Sequence, residues 1–502
     1  MNIILAGFVE DFAPIVHNIF RTVSIDRCIL VSKDKEIFPN DMVGTQIDYD
    51  DAKYGHYKNV DWNIIPPLDR IIIEKMAFCE IEVLKMMERL EDAYGKLLTY
   101  EDRKRMYYRH LRYWNHMIED QKIDVFVSSD VPHEVYDFIV YSLCKIKTIK
   151  TIMFYRMPTF PYKNVSKYIL EDVKECNLEI KRSFETIMEN LPTDCNEEDI
   201  ELSNAFNTYY AAHTKKTIEP MAFIKTEALP TIKTIEKRMS TIKYLLSSGN
   251  YKLFFQKTLE LIKIKTRGKS AFVREKHRIM SEAKAYYEKH SVAPDYSRKY
   301  VFIALHYQPE CTTSPMAGVF VHQLLIIQML SYYLPEDVVI YIKEHPRNDL
   351  RREIGFYKDM ISIKNVKFIN KEESSLKLID NAIFVATATG TVGWEAFLRR
   401  KPVVMFGYYI YQYAPRVFHV DSCKDCQKAI ENILENSEGA SEKEIKVFLK
   451  AMENVAIPGH LNNRYRDICL VSPAENIENS SNAIIQRLEQ IQNEKSRINI
   501  KN

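Results

Sequence analysis

The stretch FVATATGTVGWEAFLRRKPVVMFG, Phe384–Gly407, carries the pattern that decides the fold. An apolar run ends in a turn of threonines and glycines, a short helical segment follows, and a second apolar run closes the unit. This order predicts two parallel strands joined by a helix. A turn at the start of a helix presents backbone N–H groups that suit an anion such as phosphate. Simple capping of the helix by threonine explains the same composition.

The same rhythm of strand and helix occupies two separate parts of the chain. The first 45 residues read as strand, helix and strand in NIILAGFV, APIVHNIFRTV and RCILVSK. Helical spacing of apolar residues runs from Pro66 to Asp120, and a buried strand is predicted at Ile123–Val127. After Lys299 the rhythm returns, with strands predicted at Tyr300–Leu305 and Val338–Ile342. The predicted units are an N-terminal Rossmann-like domain at 1–164, a helical basic insertion at 165–298, a C-terminal Rossmann-like domain at 299–480 and a closing helix or tail at 481–502.

The insertion contains a strongly basic segment. Between Thr231 and His290 there are fifteen Lys or Arg, five Glu and no Asp. A basic helical segment can rest on an anionic membrane surface, which predicts peripheral contact with the inner membrane through residues 231–290. A solvated helical insertion, or one that docks a partner protein, explains the charge equally well.

Composition places the chain among globular proteins. Of its 502 residues, 46% are hydrophobic and 27% charged, and the net charge of +2 does not call for a nucleic-acid partner. The start, MNIILAGFVEDF, lacks the basic residues and long apolar core of a signal peptide, and no run is long enough to span a membrane. Nine scattered cysteines fit reduced thiols, and the pair Cys423 and Cys426 has no partners for a zinc site. We expect a cytoplasmic location.

The Gly/Thr turn is the first candidate binding loop. Backbone N–H groups and hydroxyls of Thr387, Thr389, Gly390 and Thr391 can hold a phosphate. Glu395, one turn into the helix, can accept hydrogen bonds from sugar hydroxyls. These residue types at this spacing therefore predict a nucleotide site.

Two more loops are predicted at the same edge of the second sheet. In YIKEHPRND, His345 can donate a hydrogen bond to phosphate, Lys343 adds positive charge and Pro346 ends the strand. In HYQPECTTSPMAG, Gln308 and Glu310 can face a cleft. A structural histidine and an ordinary polar loop are the alternatives for these two stretches.

One acidic loop belongs to the N-terminal half. In SSDVPHE, Asp130, His133 and Glu134 follow a predicted strand and precede a helix. A carboxylate there can act as a general base or nucleophile, with the histidine orienting it. Capping of the following helix by Asp130 is the alternative. Three binding loops on one half and an acidic loop on the other match the plan of a GT-B glycosyltransferase, an α/β fold of two Rossmann-like domains facing a cleft.

Three motifs together resemble the bacterial capsule polysaccharide biosynthesis family: YQPECTTSPMAG, YIKEHP and TGTVGWEAFLRRKPVVMFG. The resemblance covers residues 299–475. That family includes transferases that move Kdo (3-deoxy-manno-octulosonic acid) from its CMP-activated form. The chain is also similar to GT-B sialyltransferases, in which a His-Pro pair and a Ser/Thr-rich turn hold the CMP phosphate. It departs from them in having threonines instead of paired serines, and no Asp-Asp-Gly motif in the N-terminal half.

The resemblance implies a metal-independent glycosyltransferase with a nucleotide-sugar substrate and no further cofactor. The expected reaction moves a 2-keto sugar acid such as Kdo from a CMP donor onto a glycan or glycolipid acceptor of capsule or lipopolysaccharide. His345, Pro346 and the Thr387–Thr391 turn would bind the donor phosphate, and Glu395 the ribose. The alternatives are a CDP-glycerol glycerophosphotransferase, a UDP-sugar transferase, or a non-catalytic protein of glycan assembly.

Overall fold

The structure is a computed structural model of the 502-residue chain. It describes residues 1–8, 10–33, 43–58, 60–94, 97–156, 166–214, 271–308, 310–346, 352–462, 465–466 and 469–501. Within these ranges two seven-stranded sheets form, each dominated by parallel pairs. The predicted α/β architecture of two Rossmann-like domains is confirmed.

The first sheet has the strand order β14-β6-β5-β4-β1-β2-β3. Its central strands are mostly apolar on both sides, because helices cover both faces of the sheet. Ile4 in β1 pairs with Ile29 on one side and Phe126 on the other, and all three side chains are buried. The strands are β1 Asn2–Ala6, β2 Arg27–Ser32, β3 Gly44–Asp48, β4 Val125–Ser128, β5 Lys150–Arg156, β6 Ser166–Leu170 and β14 Ile457–Pro458.

Nine described helices belong to the first part of the chain, with short 3-10 turns at Glu10–Phe12, Met87–Leu90 and Glu197–Asp199. The longest, α6, begins with a capping box in which Thr99 and Asp102 satisfy each other's backbone N–H groups. The helices are α1 Ala13–Thr22, α2 Tyr49–Tyr54, α3 Arg70–Lys75, α4 Ala77–Met86, α5 Glu91–Tyr94, α6 Tyr100–Asp120, α7 Tyr136–Ile146, α8 Leu178–Asn190 and α9 Asn204–Thr214.

The second sheet has the order β13-β12-β11-β8-β9-β10-β7. Because β8 lies between β11 and β9, the loops that follow these three strands emerge side by side at one edge. The strands are β7 Ser291–Val292, β8 Tyr300–Ala304, β9 Val339–Lys343, β10 Val366–Ile369, β11 Val385–Thr387, β12 Val403–Met405 and β13 Val417–His419. A 3-10 turn, Gly318–Val321, precedes the helix that begins at Leu324.

The helices of the second part cover this sheet, and the last one leaves it. Helix α17 packs on α1 of the first sheet, where Ile484 and Leu488 join the apolar cluster of Ile3, Leu5 and Ile15. The helices are α10 Ala271–His290, α11 Leu324–Tyr333, α12 Ile354–Ile361, α13 Ser375–Asn381, α14 Thr391–Leu398, α15 Cys423–Glu435, α16 Glu442–Val455 and α17 Pro473–Lys501.

The sheet pairings lead us to propose domain limits different from those first expected. Strand β14, within the predicted C-terminal domain, pairs antiparallel with β6 of the first sheet. Strand β7, within the predicted insertion, pairs with β10 of the second sheet. We therefore propose that the first domain comprises 1–170 and 457–501, and that the second begins at 271. Much of the basic segment 231–290 lies outside the described residues, which resume at 271.

One predicted strand boundary is corrected by the structure. The strand predicted at Ile123–Val127 is Val125–Ser128. The stretch DYDD, 48–51, begins helix α2, which Asp48 caps. Cys423 is exposed and Cys426 is buried on the same helix. Among the described residues no three potential metal ligands lie together, and no described helix has the length and apolarity to cross a membrane.

Candidate functional site

A histidine that the sequence analysis did not single out organises the Gly/Thr turn. The ring nitrogen Nε2 of His306, just after β8, lies 3.0 Å from the backbone N of Ala388 and 3.2 Å from that of Thr389. Both backbone groups are donors, so Nε2 accepts from them and carries no proton. The imidazole thus satisfies the N–H of Thr389, a residue that the sequence analysis assigned to the phosphate, and that of Ala388. Its place at the end of β8, beside β11, is the signal that could have revealed it.

Burial keeps His306 neutral. Desolvation lowers the pKa of His306 to about 3, and the positive charges of His345 and Arg352 act in the same direction. The ring also excludes any larger residue from the turn, because a Cβ added at Gly390 would lie 2.6 Å from His306 Cε1. Gly390 is therefore required by close approach and not by its backbone angles.

The low pKa of His306 predicts a loss of stability in acid. An unfolded histidine binds a proton near pH 6.5, while the folded one binds it only near pH 3, so stability present above pH 6.5 is lost as the pH falls. Between pH 6 and 4.5 this one group should lower the free energy of unfolding by about 2 kcal/mol. In denaturant unfolding, His306→Gln should therefore lose about 2 kcal/mol less stability than the wild type over this pH range. His17→Gln, at an exposed histidine, is the control. If stability fell as much with pH in His306→Gln as in the wild type, the low pKa of His306 would be contradicted.

Two threonines of the turn have structural partners, which differs from the prediction that they face a phosphate. Thr387 Oγ1 accepts from Gly390 N at 2.8 Å and lies 3.2 Å from His306 Nε2. Thr389 Oγ1 donates to the Thr312 carbonyl. Both threonines are buried. Thr391 is the exposed hydroxyl of the turn, at the first residue of helix α14.

Behind this loop lies a buried ion pair. Arg352 Nε donates to Glu344 Oε2 at 2.7 Å, and both side chains are nearly inaccessible. The same guanidinium donates to the His306 carbonyl at 2.6 Å, and Tyr357 donates to Glu344 at 2.6 Å. Gln308, predicted to face the cleft, is instead buried and donates to the Val321 carbonyl at 2.6 Å. This network fixes the ends of β8 and β9 to each other.

The exposed positions at this edge are fewer than predicted. His345 is half-buried, with its ring 5.6 Å from that of Tyr307, and Pro346 and Glu310 are exposed. His345 N donates to the carboxylate of Glu344 at 2.6 Å, which ties the histidine to the buried ion pair. Among the described residues of the second predicted loop, His345 is therefore the polar side chain that can reach a ligand.

Lys343 does not lie where the sequence placed it. It is buried, and its Nζ donates to the Glu373 carbonyl and to Ser375 Oγ. Burial lowers the pKa of Lys343, with Glu373 opposing. The lysine holds the loop after β10 and supplies charge to the site only at a distance.

Glu395 is half-buried on helix α14. Burial raises the pKa of Glu395 to about 7, while Arg399 and Lys343 act against the rise. Near neutral pH the carboxyl is therefore divided between protonated and ionised forms. Either form can bond to a hydroxyl, as the predicted ribose role requires.

On the first sheet, Asp130 lies in the loop after β4 and is exposed. Its Oδ1 accepts from Val131 N at 2.8 Å. It does not cap the following helix, since α7 begins at Tyr136 and Asp137 Oδ1 accepts from Glu134 N at 2.7 Å. Asp130 is thus held by one local hydrogen bond and its carboxylate is open to a ligand.

His133 and Glu134 form a charged group beside it. The Nδ1 of His133 is 2.6 Å from the Val131 carbonyl, so this nitrogen donates a hydrogen bond. The other ring nitrogen, Nε2, lies 4.0 Å from Glu134 Oε1. Burial alone would lower the pKa of His133, but the Cys311 sulfur and Asp130 raise it to about 10. Burial would raise the pKa of Glu134. The positive charges of His133 and of Lys53, whose Nζ lies 2.7 Å from Glu134 Oε2, outweigh the effect of burial and lower this pKa. Near neutral pH both groups are therefore charged.

Contacts across the cleft join the two sets of loops. Arg89 donates to the carbonyl of His133 in the first domain and, at 2.7 Å, to that of Ser314 in the second. Tyr155 and Tyr409 meet with ring centres 5.6 Å apart. Cys311 lies close enough to His133 to influence its protonation. Sequence reasoning missed Arg89, because a charged residue in a helical segment gives no sign of the distant loops it contacts.

Two large cavities of the structure have none of the predicted site residues in their walls. One of about 640 Å³ lies along α6, where Trp62, Arg109 and Arg112 contribute to its wall. Another of about 490 Å³ is mostly apolar and includes Phe78 and Tyr408. Volume alone therefore does not mark the cleft between the loops, which we identify by its converging charged groups.

Comparison with known proteins gives one family match. Residues 318–415 match the family described as Capsule polysaccharide biosynthesis protein. No curated protein matches the chain. The matched range contains the end of β9 and the whole Gly/Thr turn, which are two of the three motifs that carry the resemblance.

Solved structures with the same broad architecture are distant. The beta Kdo 2,7 transferase KpsC of Thermosulfurimonas dismutans is 9% identical, with a TM-score of 0.31, over 81% of this chain and 96% of that chain. A UDP-GlcNAc 2-epimerase of Methanocaldococcus jannaschii is 14% identical, with a TM-score of 0.24, over 90% and 99%. A glycosyltransferase of Rickettsia africae is 9% identical, with a TM-score of 0.27, over 98% of each chain. At such values these likenesses carry no argument about chemistry. The resemblance that the motifs indicate is confirmed by the family match: across residues 318–415 the chain is similar to the capsule polysaccharide biosynthesis proteins.

Proposed function

We propose that the protein is a glycosyltransferase of GT-B type that takes part in the synthesis of a bacterial surface polysaccharide. The observation that carries the proposal is the convergence of the two sets of loops. The exposed carboxylate of Asp130 and the charged His133 lie on one side, and His345 and the Gly/Thr turn lie at the strand ends of the other domain. The family match over the donor side supports the same reading.

In this proposal the second domain binds the nucleotide donor. The phosphate lies against His345 and the hydroxyl of Thr391, at the positive end of helix α14. Glu395 accepts from, or donates to, the ribose hydroxyls. Pro346 directs the chain away from the phosphate, and Glu310 lies at the entrance.

The first domain activates the acceptor. If the enzyme inverts the anomeric centre, Asp130 takes the proton of the acceptor hydroxyl as its oxygen bonds to the anomeric carbon. The bond from that carbon to the phosphate oxygen breaks, and the charge stays on the nucleotide phosphate beside His345. If it retains configuration, Asp130 stabilises the developing cation. Glu134 serves less well as a base, because it is paired with Lys53.

The donor that we propose is a CMP-activated 2-keto sugar acid such as Kdo, and the acceptor is a glycan or glycolipid of capsule or lipopolysaccharide. The likeness of the His-Pro pair and the threonine turn to CMP-binding transferases favours this donor. A CDP-glycerol or UDP-sugar donor would use the same phosphate contacts, and a non-catalytic assembly protein would bind nucleotide without turnover. We place the reaction in the cytoplasm, with peripheral contact to the inner membrane through residues 231–290.

Nucleotide binding by the wild type and by His345→Ala tests the proposal. Thermal unfolding is followed with CMP, CDP, UDP, GDP and ADP, and His17→Ala serves as the control on an exposed histidine. A ligand at 100 times its Kd stabilises a protein by about 2.7 kcal/mol, which raises Tm measurably. We expect a rise with CMP that persists in His17→Ala and disappears in His345→Ala.

The other outcomes would change the proposed donor, move the phosphate site or overturn it. A rise with UDP or CDP alone would keep the glycosyltransferase or phosphotransferase class and change the donor. A CMP effect that survives in His345→Ala would move the phosphate away from this histidine. No rise with any of the five nucleotides would overturn the donor site.

A further inference from the structure

A small cavity opens beside Asp130, on the first domain. It has a volume of about 30 Å³, which is room for one or two water molecules or for the oxygens of a small anionic group. Its mouth includes Asp130 and Arg156, both exposed, and its walls include Lys167 and His460. The segment after β14 supplies part of the wall, so the cavity exists only because the chain returns to the first sheet.

The ammonium of Lys167 is the unusual group in this cavity. Its residue is 2% exposed, and the acceptor found for Nζ is Asn476 Oδ1 at 3.3 Å. An ammonium has three donors, and among the described residues no carboxylate lies within salt-bridge distance of it. Burial lowers the pKa of Lys167 to about 7, and the opposing effect of Cys469 is smaller. A buried lysine of this kind costs stability unless an anion accompanies it.

Another buried side chain of the same cavity has an unused polar atom. His460 is 8% exposed, and no described residue hydrogen-bonds to its Nδ1. Its backbone is fixed by a reciprocal pair of hydrogen bonds, in which His460 N and Asn476 Nδ2 each donate over 2.8 Å. The ring of Phe12 packs against the imidazole edge to face, with centres 5.7 Å apart. The imidazole is therefore held in place while one nitrogen stays unused.

Arg156 brings a second positive group to the site, since burial lowers the pKa of His460 and keeps its imidazole neutral. Its guanidinium lies over the ring of Tyr465 and donates to the hydroxyl of that residue. It is near enough to Asp130 for the two charges to attract each other. A ligand that entered here would place an anionic group against Lys167 and His460 and leave its neighbouring atoms beside Asp130.

We propose that this cavity is an acceptor subsite for an anionic group, a carboxylate or a phosphate, that lies next to the hydroxyl deprotonated by Asp130. The inference rests on the proposed function, because Asp130 is its assumed base. It adds the chemical class of the acceptor, which is an acidic glycan. The small volume and the buried Lys167, with Arg156 at the mouth, carry this conclusion, since a carboxylate or phosphate would supply the anion that the Lys167 ammonium lacks.

Binding of two probe anions tests the subsite. Glucuronate presents a sugar carboxylate and glycerol 3-phosphate presents a phosphate, and each is titrated calorimetrically into the full-length protein. We expect Kd for at least one of them to rise about 10- to 100-fold in Lys167→Met, since charge-assisted hydrogen bonds are lost. Lys150→Met is the control, because Lys150 is an exposed lysine on β5, the strand that pairs with β6.

Methionine matches the length of lysine and removes a buried charge, so Lys167→Met should fold. The probe that binds tells a sugar carboxylate from a phosphate. Failure of both probes to bind the wild type, or equal binding by Lys167→Met, would overturn the subsite. CMP binding, measured on the same variants, reports separately on the proposed function: it can persist while the anion subsite fails, or be absent while the anion binds.

Discussion

Replacing Asp130 by asparagine should lower the rate of sugar transfer by about 10²- to 10⁴-fold, because an amide cannot take the acceptor proton. Asparagine keeps an oxygen for the hydrogen bond from Val131 N, which is 2.8 Å long in the wild type. The loop should therefore stay in place, and the rise in Tm with nucleotide should be unchanged. The measurement is the transfer rate at saturating donor, with nucleotide binding followed in parallel.

Two further variants make this result specific to Asp130. Asp120→Asn, at the end of helix α6, changes an aspartate that contacts only its own neighbourhood and should leave the rate unchanged. Glu134→Gln removes the partner of Lys53 and should reduce the rate less than Asp130→Asn does. A wild-type rate in Asp130→Asn would show that another group accepts the proton, while loss of nucleotide binding would show that the substitution disturbs the cleft.

Replacing Arg352 by methionine should lower the free energy of unfolding by about 3–5 kcal/mol. The substitution leaves the carboxylate of Glu344 buried without its cation, and it removes the bond to the His306 carbonyl. Because Glu344 also accepts from His345 N, nucleotide binding should weaken in the same variant. Denaturant unfolding measures the first effect, and the nucleotide-dependent rise in Tm measures the second.

A double-mutant cycle isolates the ion pair within this effect. The variant that combines Arg352→Met with Glu344→Gln removes both charges, so it should be less destabilised than the sum of the single variants. Arg298→Met, at an exposed arginine, is the matched control. An Arg352→Met variant as stable as that control would show that the pair does not hold the ends of β8 and β9 together.

The two-domain architecture was readable from the sequence because parallel strands leave a strong signal. Runs such as Asn2–Ala6 and Val339–Lys343 are apolar on both faces, and helical spacing separates them. The loops at the strand ends followed from the same rule, which is why Asp130 and His345 were found by position alone. The catalytic role of Asp130 and the donor-binding role of His345 stay predictions.

What the sequence could not show is which side chains of a loop turn inward. Thr387, Thr389 and Gln308 are as polar as Thr391, yet the structure buries the first three with partners. The choice depends on His306, which comes from a strand about 80 residues earlier and fills the turn. Contacts across such a separation leave no local pattern. The return of β14 to the first sheet was missed for the same reason, since a strand of two residues has no periodicity.

The return of the chain to the first sheet has a consequence for synthesis on the ribosome. Synthesis runs from the N-terminal side, so β1 and α1 are made well before the helix that covers them, Pro473–Lys501. Until then Ile3, Leu5 and Ile15 lack the apolar surface of Ile484 and Leu488. The first domain therefore completes its apolar core only after the whole second sheet has been synthesised, and the acceptor side of the cleft is assembled after the strands of the donor side have been made.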